Sequence, residues 1–102
     1  MKLMFITRRR TGVSDAQIAE ARPDEVRAVW ALVKAGQLRE IYFAPERPAV
    51  IGMVEVASRE TAEEMLAALP MARRGLIEFE LLTLRPYDQF ELLFERPGEK
   101  SR

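Results

Sequence analysis

The sequence predicts an α+β domain with the element order β-α-β-β-α-β and a four-stranded antiparallel sheet. Three observations carry that expectation. Four short runs rich in β-branched, aromatic and aliphatic residues are separated by turn or helix signals. Two segments between them repeat apolar residues at i, i+3, i+4 and i+7. The two middle runs are joined by a few turn residues and read as a hairpin, whereas each helical segment lies between two strands as a crossover.

The first strand is the apolar run Lys2 to Thr7. Arg8-Arg9-Arg10-Thr11-Gly12 leaves it and reads as a solvated strand end. Ser14-Asp15-Ala16-Gln17 has the form of a capping box. Pro23 then interrupts the helix or opens a second piece, so the firmly expected helix is Pro23 to Ala35, stopped by Gly36. Its apolar stripe is Val26, Val29, Trp30 and Val33. Trp30 is expected in the core first, and as a pocket-lining, substrate-binding residue second.

The hairpin follows. Leu38 to Phe43 is its first strand, Pro45-Glu46-Arg47-Pro48 its turn and Ala49 to Val56 its second strand. Each proline fixes φ and lacks an N–H, so pairing stops at the turn. Ser58 caps a second helix, Arg59 to Leu69, with Ala62, Met65, Leu66 and Leu69 on one stripe and Pro70 as its end. Leu76 to Leu84 is the last strand. Ile77, Phe79 and Leu81 share one face, and Leu76, Glu78, Glu80 and Leu82 the other. The two glutamates read as charge guarding an edge. One domain is expected over residues 1–96, with a tail at 86–96 and a frayed end at 97–102. The whole is the ferredoxin-like split βαβ plan.

Two helices cover one face of such a sheet, and the other face should read polar. It does not. Met4 and Ile6 oppose Leu3 and Phe5 across the first strand, and both sides of the third strand are apolar. A second copy packed sheet to sheet would bury that face, which predicts a homodimer of the α+β barrel kind with the Phe90–Phe94 tail crossing to the partner.

Composition narrows the chemistry. Sixteen Lys and Arg balance sixteen Asp and Glu, a formal net charge of zero, which argues against nucleic acid as a partner. Without histidine or cysteine there is no imidazole base, no thiolate and no usual zinc or copper ligand, so neither a metal nor another cofactor is expected. No apolar run reaches membrane-spanning length and no targeting segment is visible, so a cytoplasmic location is expected.

The order and spacing of several short motifs are similar to one family. Gly36-x-Leu38-Arg39-x-Ile41-Tyr42, Glu46-Arg47-Pro48, Ala68-Leu69-Pro70-Met71, Gly75-Leu76-Ile77-Glu78-Phe79-Glu80 and Leu84-Arg85-Pro86-Tyr87 resemble the muconolactone isomerase-like family of dimeric α+β barrel proteins. The resemblance implies sheet-to-sheet dimers, sometimes larger rings, and an intramolecular isomerase acting on a small unsaturated lactone of aromatic catabolism. It also implies a histidine after the strand-two arginine, where this chain has Glu40.

Moving a double bond in such a lactone needs a base, a donor to the dienolate oxygen and a cation for the substrate carboxylate. The hairpin gathers candidates for each. Glu40 is the expected base and Tyr42 the expected donor, two apart and so on one strand face. Arg47, Arg39 and Glu46 are expected to bind substrate, although Arg39 points to the other face unless a bulge intervenes. Three readings stay open: an acid/base isomerase, a non-catalytic binder of a small acidic or aromatic metabolite, and a structural subunit.

Overall fold

Capping, alternation and turn chemistry generate eight elements within the described part of the computed structural model, residues 1–95. They are β1 (Lys2–Arg9), α1 (Asp15–Lys34), β2 (Leu38–Ala44), β3 (Ala49–Glu55), α2 (Arg59–Ala67), α3 (Pro70–Arg73), β4 (Ile77–Leu84) and a 3₁₀ segment (Asp88–Phe94). The sheet order is β2-β3-β1-β4, with every neighbouring pair antiparallel and β2 and β4 at the edges. Residues 97–102, expected to be frayed, lie outside the described residues.

The capping box forms as written. The Ser14 hydroxyl accepts from the Gln17 N–H, and the Gln17 side chain accepts from the Ser14 N–H. The helix it starts is longer than Pro23 to Ala35, because Pro23 lies inside α1 and does not break it. Both Pro23 and Ala19, whose carbonyl loses its partner to the ring, are exposed, so water can satisfy that carbonyl. The inward face also differs from the expected stripe. It runs Ile18, Ala21, Ala28, Val29, Leu32, Val33, while Val26 and Trp30 lie off it. Trp30 is 58% exposed and is therefore not a core residue. At the second crossover α2 ends at Ala67, and Pro70 begins α3, where its missing N–H costs nothing.

Both long helices pack on one face of the sheet, over two apolar clusters. One joins Leu3, Phe5 and Leu38 to Val54, Ala62, Leu66 and Leu69. The other joins Ile18 and Ala21 to Met71, Leu76 and Ile77. Phe79 packs against both, edge-on to Phe5 at 5.6 Å between ring centroids. On the opposite face Met4, Ile6, Ile51 and Met53 have no covering element among the described residues and are half-buried, with Leu82 exposed beside them.

One small residue makes the first cluster possible. Gly52 pairs with Phe5 across β1 and β3, and the Phe5 ring lies over its Cα, with Leu38 close by. A Cβ at Gly52 would overlap the ring. Gly52→Ala should therefore destabilise the fold by about 1–3 kcal/mol, read as a lower urea midpoint with an unchanged slope. An unchanged midpoint would mean that the ring moves freely aside.

Candidate active site

A break in the β2–β3 pairing decides which side chains of the hairpin meet the helices. Leu38 pairs with Val54 and Glu40 with Met53, leaving Arg39 as the extra residue of a β-bulge. Beyond the bulge the alternation is reversed. Ile41 and Phe43 join Leu38 on the helix-covered face, opposite Gly52 and Val50. Glu40 and Tyr42 turn to the open face, opposite Met53 and Ile51.

The helix-covered face holds a cavity of about 380 Å³ at the seam between the two clusters. Its floor is Phe5, Val50 and Phe79, and its inner wall is Ile18, Met71 and Ile77. Its mouth opens between α1 and the hairpin, past Arg22, Val26, Phe43 and Pro48, all of them exposed.

Four polar side chains face this apolar space: Thr7, Arg9, Arg22 and Glu25. Glu25 falls on the inward face of α1, seven residues after Ile18 and four after Ala21, and is half-buried. Its Oε1 accepts from the Met71 N–H at 2.9 Å, a free donor in the first turn of α3. Desolvation pushes its pKa up, and the Met71 hydrogen bond and the Arg74 charge oppose that shift. Thr7 Oγ1 accepts from the Val50 N–H at 2.8 Å, which leaves its own hydrogen as a donor. Arg9 is held at the rim by Asp15 at 2.6 Å, and that guanidinium holds the Asp15 carboxyl below the usual range. Arg22 makes no ion pair among the described residues.

The residues expected from the hairpin are placed elsewhere. The Tyr42 hydroxyl donates to Glu40 Oε1 at 2.8 Å, and that bond raises the phenol pKa. The pair sits on the open face, across the sheet from the cavity. The bulge does bring Arg39 toward that face, near Glu55, but its Nε donates to the Gly36 carbonyl and not to Tyr42. Glu46 and Arg47 are exposed at the turn without an ion pair among the described residues, Arg47 just before Pro48 at the mouth. Trp30 does not line the cavity. Glu25, Arg22 and Thr7 escaped the sequence reading. The available signal was Glu25 itself, a carboxylate in register with an apolar helix face. Among the described residues no group of three or more acidic side chains is placed to hold a metal, and no helix is long and apolar enough to cross a membrane.

The Glu25 shift has a defined sign. A carboxyl whose folded pKa is raised binds its proton more tightly in the folded state, so stability falls as pH rises from the unfolded pKa through the folded one. Glu25→Gln keeps an acceptor for the Met71 N–H and loses the titration. Its melting temperature should gain on the native protein as pH rises from the ordinary carboxylate range through the raised pKa of Glu25, then hold level. A constant gap across that range would show that Glu25 titrates normally.

Known proteins bear on this arrangement. The sequence matches the muconolactone delta-isomerase family over residues 3–89. No curated protein matches the chain in sequence. Among solved structures, muconolactone isomerase superposes over all of both chains with a TM-score of 0.70 at 16% identity. The 5-chloro-2-hydroxyhydroquinone dehydrochlorinase of Burkholderia phenoliruptrix AC1100, in complex with 2,5-dihydroxybenzoquinone, superposes on 83% of this chain and 94% of its own, with a TM-score of 0.60 at 12% identity. At such identities the superpositions speak for the shared α+β fold. The match in sequence, spanning all four strands and both crossovers, makes the chain a member of the muconolactone delta-isomerase family.

Proposed function

We propose that the chain is an acid/base isomerase that shifts a double bond in a small unsaturated lactone or related carboxylate, working in the cavity under α1. The observation that carries the reading is the pairing of an apolar cavity with one half-buried carboxylate of raised pKa. The volume of about 380 Å³ suits a small ring compound. A carboxylate whose pKa is raised by desolvation is better fitted to take a proton from carbon and to give it back than a solvated one.

The roles follow from chemistry and position. Glu25 removes the proton from the carbon γ to the lactone carbonyl, and the electron pair moves through the conjugated system onto the carbonyl oxygen. The Thr7 hydroxyl donates to that dienolate oxygen. Glu25 returns the proton at the α carbon, so one group serves both steps and the enzyme ends as it began. Arg22, with Arg9 beside it, receives the substrate carboxylate at the mouth. The absence of histidine then matters little, because no step asks for one.

The open face is the other half of the proposal. Met4, Ile6, Ile51 and Met53 form an apolar surface larger than scattered exposed residues would make. A second copy packed sheet to sheet covers it, giving a homodimer in which Glu40 and Tyr42 border the interface. The dihydroxybenzoquinone complex of the dehydrochlorinase supports a second reading, in which the same cavity binds a flat aromatic or quinonoid ring without turning over a lactone.

Ultraviolet assay of muconolactone, together with a thermal-shift panel of lactones and aromatic acids, separates these readings. Glu25→Gln should lower turnover by at least about a hundredfold with folding intact, and Glu40→Gln should change it by less than about threefold. The reverse pattern would return the base to the open face, where Tyr42 is its partner. Arg22→Ala should raise KM about tenfold with kcat nearly unchanged. Tight binding of an aromatic acid without turnover of any lactone would leave the binding reading. For the dimer, Ile6→Asp should convert the particle seen by light scattering to a monomer or leave it unfolded, whereas a native monomer at micromolar concentration would end the sheet-to-sheet reading.

A further inference from the structure

α3 is only four residues long, too short a helix to hold its own shape. Two neighbouring residues of α1 fasten it, one at each end. At its start the Met71 N–H donates to Glu25 Oε1 at 2.9 Å. At its end the C-cap residue, Arg74, donates through Nη2 to Asp24 Oδ2 at 2.7 Å. Asp24 and Glu25 leave α1 about 100° apart around its axis. Asp24 is accordingly exposed, and Glu25 is half-buried and lines the cavity. The second oxygen of Asp24 accepts from Arg27 at 3.1 Å, which fixes the anchor from within α1.

Both partners of the Asp24–Arg74 pair are about half exposed, so the pair contributes little to stability. What it supplies is the location of a helix end. That location matters to the cavity twice over. The Met71 side chain is part of the inner wall, and its amide orients Glu25. With Oε1 committed to that amide, Oε2 makes no hydrogen bond among the described residues. Arg74 does not line the cavity itself, so it reaches a ligand only through Glu25 and α3.

We propose that Arg74 is a positioning residue for Glu25: anchored on Asp24, it seats α3 against α1, so that the Met71 N–H holds one carboxylate oxygen and the other is presented to the ligand. This rests on the reading of Glu25 as the base. The charged groups about Glu25 are Arg22 and Asp24 on its own helix, Arg9 from β1 and Arg74 from α3. Arg9 is held by Asp15, and the hairpin and β4 present only apolar side chains to the cavity. The Arg74 charge and the Met71 amide both oppose the desolvation of Glu25. Loss of either raises the carboxyl pKa and moves the acid limb of a base-dependent pH profile to higher pH.

The test compares Arg74→Gln, Arg74→Lys and Arg73→Gln in the full chain, each alone and with Glu25→Gln. Arg73 is the control, an exposed neighbour without an ion pair among the described residues. With muconolactone as substrate, Arg74→Gln should lower kcat about tenfold with KM within about twofold. Its melting temperature should stay close to native, and the acid limb of kcat/KM should move to higher pH. Arg74→Lys should recover most of the loss, and Arg73→Gln should behave as native. On top of Glu25→Gln, Arg74→Gln should cost nothing further. A full additional loss there would overturn the inference, as would native turnover in Arg74→Gln when Glu25→Gln is inactive. A chain that turns over no lactone, or is fully active as Glu25→Gln, ends the reading of Glu25 as the base. Positioning is then decided without turnover, by carbon NMR titration of the Glu25 carboxyl and hydrogen exchange of the Met71 amide. Arg74→Gln should raise the carboxyl midpoint and speed the exchange, and no change in either overturns the inference whatever the substrate.

Discussion

The bulge at Arg39 is the constraint on which the site depends. A regular strand would carry Leu38, Glu40 and Tyr42 on one face, and the buried Leu38 fixes which face that is. Glu40 and Tyr42 would then project under α1, and Ile41 and Phe43 would lie on the open sheet. One inserted residue exchanges the two sets. It gives the cavity its aromatic lip at Phe43 and removes a carboxylate and a phenol from beneath the helix. Two carboxylates in one small apolar space would repel, and one would stay protonated. The bulge leaves Glu25 the one carboxylate lining that space, its proton affinity raised by desolvation against the Met71 amide and the Arg74 charge.

The fold was legible because its signals are local and repeated. Ser14 and Gln17 announce a helix start by their spacing, two prolines delimit a hairpin turn, and Ile77, Phe79 and Leu81 alternate without interruption. The errors came where one residue overrides a period. Nothing in Leu38-Arg39-Glu40 marks a bulge, since no glycine is needed and none is present. Trp30 looked inward because it stands four residues after Val26, yet both lie off the true face, which Ile18 and Ala21 set one turn before Pro23. Treating Pro23 as a break hid those two residues and with them Glu25, which is conspicuous only once Ile18 and Ala21 are counted in the same helix.

Glu25 belongs to the fold as well as to the proposed chemistry. Its carboxyl closes the first turn of α3, a helix whose N-cap, Leu69, offers no side-chain acceptor. An apolar side chain there would strand the Met71 amide at a cost of about 1–3 kcal/mol. Glutamine would answer the amide but not the proton. The position thus accepts few residues for two unrelated reasons.

Thr7 carries a consequence for the cavity's shape. The β1–β4 ladder runs on to Arg9 and Ile77, but the β1–β3 ladder stops at Ile6 and Ile51, and the next amide, that of Val50, is taken by the Thr7 side chain. The sheet forks at that point. One prong, β1 with β4, is stiffened by continuous backbone pairing. The other, the end of the β2–β3 hairpin beyond Ile51, is joined to β1 through the Thr7 hydroxyl. The cavity lies in the crotch of the fork, where one side-chain hydrogen bond stands in for the backbone ladder and leaves room between the prongs that α1 covers.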